Sequence, residues 1–393
     1  MKILHVVAGY PSRPGFGVAR YAAESAPALA DLGHECHLVT TSATENCRTS
    51  ERDGVVEYGL EQAYPFGAYN EYLQAALEDI PLAGRLAEIW KDAGPFDLVL
   101  AHDWAAGMAA SVLQRAYQSP LVGVLHGTEV GRAGGKVTRE QHYVADMEKW
   151  FCERADRIVV PSGCVRGEVE KHYRADARKV TIVSGGAGAD LFEAEVDVGE
   201  FRGMFAEPDE KLLLFSGRLE PFKGPDTLIE AFRILAGSFP RIRLAVAGEG
   251  SLQQSLVEQV NRSGLEAKVR FTGTLGPSVM GALFQVSDVL VMPSRYEAFG
   301  IAALEALFYD LPVVAFPAGG LSELAKATGR IDLATQDSVQ SLSECVTASL
   351  RKSGETRKHR PPQDELIPAR YRWKAVAKSL VKVFESLFVP ASR

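Results

Sequence analysis

Cysteine is scarce: five residues, Cys36, Cys47, Cys152, Cys164 and Cys345, occur in a chain of 393. The number is odd and no two form a C-x-x-C pair, which argues against a disulfide framework or a thiolate zinc site and favours a reducing cytoplasm. Long apolar runs are missing too. No window approaches the roughly 20 apolar residues that a membrane-spanning helix needs. The apolar start, Met1 to Ala8, is cut off at Gly9-Tyr10-Pro11, too early for the core of a secretory leader, and reads as a buried first strand. Positive charge is in deficit, with 43 Lys and Arg against 50 Asp and Glu and a net charge of -7, so no cation excess exists to neutralise a nucleic-acid backbone.

What is present is the composition of a globular protein, 46% hydrophobic and 24% charged, in a chain long enough for two α/β domains. The most informative stretch runs from Asp288 to Pro317, D-V-L-V-M-P-S-R-Y-E-A-F-G-I-A-A-L-E-A-L-F-Y-D-L-P-V-V-A-F-P. An apolar run, Val289 to Met292, stops at Pro293-Ser294; a helix is expected from about Phe299, and a second apolar run closes the unit at Val313 to Phe316. Glu297 falls in the loop at the carboxyl end of the strand, where open α/β sheets place ligand contacts. Glu305 follows two helical turns later. Between them Phe299, Gly300 and Ile301 supply amides at the expected helix N-terminus, a place that favours anions. Carboxylates for hydroxyls at both ends and an amide cradle for phosphate between them suit a nucleotide sugar.

A second anion site is expected after the strand Lys211 to Phe215, in S-G-R-L-E-P-F-K-G, where Arg218 and Lys223 stand in a glycine-flanked loop before a helix that opens at Pro225. Two solvated loop cations is the plainer alternative. At the start of the chain, Gly15-x-Gly17 leads into a helix from about Val18 to Leu32 and a strand from Cys36 to Thr41. This is half of a dinucleotide fingerprint: Arg20 replaces the third glycine, and Thr40-Thr41 stands where an acid would hold the ribose of NAD. The loop therefore suits a phosphate or sugar better than NAD. Residues 42–95 are weakly patterned, with a helix near Ile80 to Ala93. The strands Phe96 to Ala101 and Leu121 to Leu125 each end in a histidine, His102 and His126. One such histidine is usually structural; two at the same rim favour a site. Gly131 to Arg139 is basic and glycine-rich and reads equally as an acceptor lid or a solvated loop. Arg351 to Pro362 reads as a long loop, and Tyr371 to Phe388 as an amphipathic helix that either packs on the first domain, the preferred reading, or lies on a membrane surface.

E-A-F-G-I-A-A-L-E, from Glu297 to Glu305, resembles the E-x7-E motif of the retaining glycosyltransferases of the GT-B fold, in particular family 4. G-R-x4-K-G, Gly217 to Gly224, is similar to that family's diphosphate clamp, and H-G-T-E-V-G-R, His126 to Arg132, to its glycogen-synthase-like and aminocyclitol-transferring members. The chain departs where the family usually continues P-N-G-V-D, having Ser184-Gly-Gly-Ala-Gly-Ala-Asp190 instead. The resemblance implies two Rossmann-like doubly wound parallel-sheet domains facing a cleft: an acceptor domain, 1–195; a nucleotide-sugar domain, 196–370; and a helix, 371–393, returning to the first.

It also implies a retaining hexosyltransferase that needs no metal and no cofactor, in keeping with the lack of any D-x-D sequence. The catalytic group would be His126, Glu297, Arg218 and Lys223. The donor would meet Gly15, Gly17, Arg218, Lys223, Thr274, Leu275, Glu297, Phe299, Gly300, Ile301 and Glu305, and the acceptor His102, Glu129 and Arg132. The expected partners are a nucleoside-diphosphate sugar, with UDP favoured, and a hydroxylated small molecule or glycan; monomer and homodimer both remain open. An NAD-dependent oxidoreductase and a non-enzymatic sugar-binding protein are the alternatives.

Overall fold

The computed structural model describes residues 1–8, 17–42, 48–61, 71–187, 197–356 and 363–389. It divides into two units, Met1–Gly185 with Trp373–Arg393, and Gly186–Arg372.

The first unit is built on the strands β1 (Lys2–Val7), β2 (Glu35–Ser42), β3 (Arg48–Arg52), β4 (Val55–Glu61), β5 (Leu98–His102), β6 (Leu121–Val124), β7 (Arg157–Val160) and β8 (Val180–Ile182). Their order in the sheet is β3-β4-β2-β1-β5-β6-β7-β8. All pairs are parallel except β3 with β4. β5 and β6 are buried along their whole length, as strands covered by helices on both faces must be. The antiparallel β3–β4 pair corrects the expectation of a wholly parallel sheet and of a patternless stretch after residue 42. Its turn, Asp53-Gly54, has φ of 50° and 74°, the pair of positive angles a two-residue hairpin needs and Asp-Gly supplies. The helix expected from Ile80 starts earlier, spanning Glu71–Ala93.

The helix Trp373–Phe388 belongs to this unit. Its apolar stripe, Trp373, Val376, Leu380, Val383 and Phe384, shares one core with Val18, Tyr21, Ala22, Ala26 and Leu29 of the helix Gly17–Ala30. Each large apolar side chain buried there contributes roughly 1.5–3 kcal/mol. Arg157 locks the far end, with Nε 3.0 Å from Ser386 Oγ and Nη2 3.0 Å from its carbonyl oxygen. The face that a membrane surface would have taken is occupied by protein. No helix among the described residues is long and apolar enough to cross a bilayer.

The second unit carries β9 (Lys211–Ser216), β10 (Ile242–Ala247), β11 (Val269–Gly273), β12 (Val289–Met292), β13 (Val313–Ala315) and β14 (Ile331–Leu333). Their order is β11-β10-β9-β12-β13-β14 and every pair is parallel. The chain winds outward from β9 on one side and from β12 on the other, so a topological switch point opens between the carboxyl ends of these two strands. In the first unit the switch point lies between β1 and β5. The helix Val339–Thr356 carries on into the stretch expected to be loop, correcting that reading for residues 351–356; residues 357–362 lie outside the described ones.

Candidate active site

At the switch point of the second unit two loops meet. One leaves β9 and runs from Gly217 to Gly224 before the helix Pro225–Ser238; the other leaves β12 and runs from Pro293 to Gly300 before the helix Ile301–Phe308. Lys223 Nζ, on the first, lies 2.5 Å from Glu297 Oε2, on the second, and Ser294 Oγ is 3.5 Å from the same oxygen. The two side chains that sequence reasoning placed in different motifs thus form one ion pair, with Glu297 buried. Arg295 stitches the loops together. Its amide donates to the Phe222 carbonyl at 2.8 Å, and its guanidinium donates to the Pro221 carbonyl at 2.6 Å, to both Asp226 oxygens at 3.0 and 2.9 Å, and to Thr227 Oγ1 at 2.8 Å. Arg218 lays its guanidinium on the Phe222 ring, 4.9 Å from the centroid.

Two glycines make this approach possible. Gly224 has φ 66°, and a Cβ there would sit 2.1 Å from the Pro293 carbonyl oxygen. At Gly320 a Cβ would fall 2.5 Å from the Ala298 carbonyl oxygen and from Phe299 Cα, and the Gly320 amide donates to the Glu297 carbonyl at 2.8 Å. Both glycines serve backbone against backbone. The helix after Gly300 has no side-chain cap, so its first amides face the crevice without one. That helix begins at Ile301; Phe299 precedes the cap, and its ring is buried 5.7 Å from Tyr371. Glu305 is buried within the helix, at 4% exposure. Thr274, expected to offer backbone to a base, donates its amide to Glu249 Oε1 at 3.3 Å, and Leu275 packs on the core of the unit.

In the first unit the switch point is built from imidazoles and a phenol around one carboxylate, Asp103. His102 ends β5, and His126 follows β6. The intervening Asp103 is held at φ 59° and its Oδ1 accepts the His126 amide at 2.8 Å, which fixes the two strand ends together. His102 Nδ1 is 3.1 Å from His126 Nε2, the rings lying 20° apart at 5.4 Å. A third histidine, His5 of β1, stacks on His102 at 5.9 Å and 15°. Tyr21 meets His126 edge-on at 5.0 Å and is itself met by Trp373 at 5.4 Å. Burial lowers the pKa of all three imidazoles, His5 to about 3, and raises that of Tyr21, so the group is neutral through the physiological range. His102 and His5 are fully buried, which removes the expected direct acceptor contact from His102. Gly17 is exposed at the start of its helix; Gly15 lies outside the described residues.

The one-turn helix Glu129–Arg132 follows. Thr128 caps it, accepting the Gly131 amide at 3.0 Å while donating to Glu168 Oε2 at 2.5 Å. Arg132 reaches Glu129 at 3.1 Å and the buried Glu148 at 3.6 Å. Glu148 also accepts the Glu129 amide at 2.9 Å and the Tyr173 hydroxyl. Burial raises its pKa to about 7 against the opposing pull of Arg132. The segment expected to be an acceptor loop is thus anchored at its beginning by a carboxylate that sequence reasoning missed. The signal was there: Glu148 falls on the buried stripe Val144, Ala145, Phe151 and Cys152 of the helix Arg139–Arg154.

Two family models match in tandem, "Glycosyltransferase Family 4" over residues 16–190 and "Glycosyl transferases group 1" over 200–361. A D-inositol 3-phosphate glycosyltransferase of Kineococcus radiotolerans is 30% identical over 342 residues, covering 79% of this chain and 76% of that protein. The chain belongs to glycosyltransferase family 4. A glycogen synthase of Mycobacterium tuberculosis is 28% identical over 403 residues, 98% of this chain and 94% of its own length. Among solved structures, the sucrose-phosphate synthase of Thermosynechococcus elongatus superposes with a TM-score of 0.80 at 19% identity, over 98% of this chain and 99% of that one, which places the transferase in the GT-B fold. Family membership removes the oxidoreductase and non-enzymatic readings. Of the expected site residues, the transferase brings Lys223 to Glu297 and His102 to His126. It also adds Arg295 and His5, which no spacing rule singles out because each acts through a contact made across the fold.

Proposed function

We propose that this transferase moves a hexose or N-acetylhexosamine from a nucleoside-diphosphate sugar, a UDP-sugar before others, to a hydroxyl of a small molecule or glycan, with retention at the anomeric carbon and without a metal ion. The second unit is the donor half and the first the acceptor half. The observation that carries this reading is the paired loop of the second unit: Lys223, in the loop that also holds Arg218 stacked on Phe222, is paired with Glu297, in the loop that leads to the uncapped helix start at Ile301, which supports a diphosphate held between the two loops. Fixed cations stabilise a leaving diphosphate as its charge grows, with no reorganisation at the moment of reaction.

In this reading Glu305 accepts hydrogen bonds from the ribose and Glu297 from the sugar, while Lys223 links the sugar-binding carboxylate to the phosphates. Thr274 and Leu275 border the base. His126 lines the reacting face; Arg132, held by Glu129, faces the acceptor. The acceptor hydroxyl attacks on the side the diphosphate leaves: the new C–O bond forms as the old one breaks, and the departing phosphate oxygen takes the hydroxyl proton. The enzyme then works in the cytoplasm on a diffusible donor. A thermal-shift panel of UDP, GDP, ADP and NAD, each with and without Mg2+, tests this. A metal-independent rise with one nucleoside diphosphate is expected; a rise only with Mg2+, or with none of the three diphosphates, overturns it. Retention is read from the anomeric proton coupling of the product.

A further inference from the structure

The three-histidine stack of the first unit has a hydrogen-bonding pattern that decides which proton His126 carries. His102 is fully buried, its Nδ1 is 3.1 Å from His126 Nε2, and its Nε2 meets no hydrogen-bond partner among the described residues. Neither nitrogen of His5, stacked behind it, has a partner either. A neutral imidazole bears one N–H, so two arrangements are open. If His126 Nε2–H donated to His102 Nδ1, the His102 proton would sit on Nε2 as a buried donor with nothing among the described residues to receive it. If His102 Nδ1–H donates instead, His102 leaves only a lone pair unpartnered, and the N–H of His5 is the same in both arrangements. Orphaned buried N–H groups are the rarer and costlier case.

We infer that His102 donates its Nδ1–H to His126 Nε2 and so holds His126 as the Nδ1–H tautomer, a neutral hydrogen-bond donor toward an oxygen of the sugar or acceptor. His102 is then a positioning residue. Asp103 fixes the backbone of His126 from the same strand end, and Tyr21 bounds the ring at its edge. The consequence is chemical: His126 cannot serve as a general base from Nδ1, which leaves the proton of the acceptor to another group. The catalytic part of this inference rests on the place given to His126 above; the tautomer does not.

Long-range 1H–15N correlation on the full chain, labelled at histidine, reads the tautomer directly, with the His126 signals identified by their loss in His126→Gln. At pH 7 a protonated Nδ1 and a lone-pair Nε2 are expected for His126. His102→Phe, which keeps an aromatic ring in the stack but removes the donor, is expected to shift His126 toward the Nε2–H form and to lower kcat about 10- to 100-fold, the range for groups that orient a reacting residue, with little change in KM for the donor. His102→Asn, whose amide N–H can replace Nδ1–H, is expected to restore both. A protonated Nε2 in the wild-type chain, or a His126 tautomer unmoved in His102→Phe, overturns the inference. A changed tautomer with unchanged kcat upholds the hydrogen bond and overturns the place of His126 in the reaction. The wild-type spectrum alone decides the tautomer if the Phe variant does not fold.

Discussion

The two switch points of this transferase are alike in topology and differ in charge: mostly neutral rings in the first unit, paired ions in the second. Each lies beside the first strand of a doubly wound sheet, where strand ends and helix starts converge. In the first unit His5, His102 and Tyr21 pack beneath the strand ends behind His126, all kept neutral by burial. In the second the crevice is lined by Arg218, Lys223, Glu297, Arg295 and Asp226, all paired or stacked at the mouth of the sheet. A fold supplies a place, and the side chains on its loops supply the chemistry. A diphosphate leaving group needs fixed cations, whereas an uncharged sugar and its acceptor need directed hydrogen bonds and a dry face. In the proposed reading one topology meets both demands, because neither depends on the sheet beyond its loops.

The largest expected effect falls on the charged half. Lys223→Ala removes one of the two cations proposed to meet the diphosphate and strands the buried Glu297 carboxylate, and should lower kcat by roughly 10²–10³-fold while changing nucleotide affinity less. Steady-state kinetics with calorimetric titration of the diphosphate separates the two; near wild-type turnover would break the contrast between the halves.

Next comes pH, which sharpens it. Burial raises Glu148 from 4.5 to about 7, so the stability from its neutral form is present below about pH 4.5 and is lost as pH rises through about 7. The buried histidines run the other way. Their folded values lie below 6.5, so the stability from keeping them neutral is present above pH 6.5 and is lost as pH falls, for His5 down to about pH 3. Glu148→Gln should therefore remove a loss on the order of 3 kcal/mol that builds up as pH rises from about 4.5 to about 7. The urea midpoint of the first unit, followed from pH 5 to 8, measures it; an unchanged slope would put the charge of Glu148 outside the balance.

Glu305→Ala should weaken nucleoside diphosphate binding about 10- to 100-fold through the lost ribose contacts, with turnover at saturation less affected. A deoxyribose analogue should bind this variant and the wild type almost equally, which separates a ribose contact from a general loss of structure. Smallest is Gly224→Ala. A left-handed φ of 66° and the Pro293 carbonyl oxygen at 2.1 Å should cost about 1–3 kcal/mol in the second unit and leave the first unchanged, as hydrogen exchange on each can report.

Much of the second unit is legible in its residues alone. Its strands are short and mostly apolar, its loops carry Gly and Pro at their ends, and Arg218, Lys223, Glu297 and Glu305 sit in motifs of fixed spacing. The first unit is less legible. β3, Arg48–Arg52, contains no apolar residue, so hydrophobic alternation cannot reveal it, although Asp53-Gly54 marks the hairpin. His5 looks like one more residue of an apolar strand. Glu148 looks like surface charge, because a buried carboxylate and an exposed one are the same letter until the helix face is counted.

The sequence by itself determined the alternation of strand and helix and the motifs that carry the proposed site, since these depend on periodicity and on local turn chemistry. Only the tertiary structure decided which residues meet. Lys223 and Glu297 are 74 positions apart, and His102 and His126 are 24. Their contacts exist because parallel strands place loops from distant parts of the chain at one sheet edge. Burial, and with it the charge state of His126, His102, His5 and Glu148, follows from what packs around each group, and no local pattern carries that information.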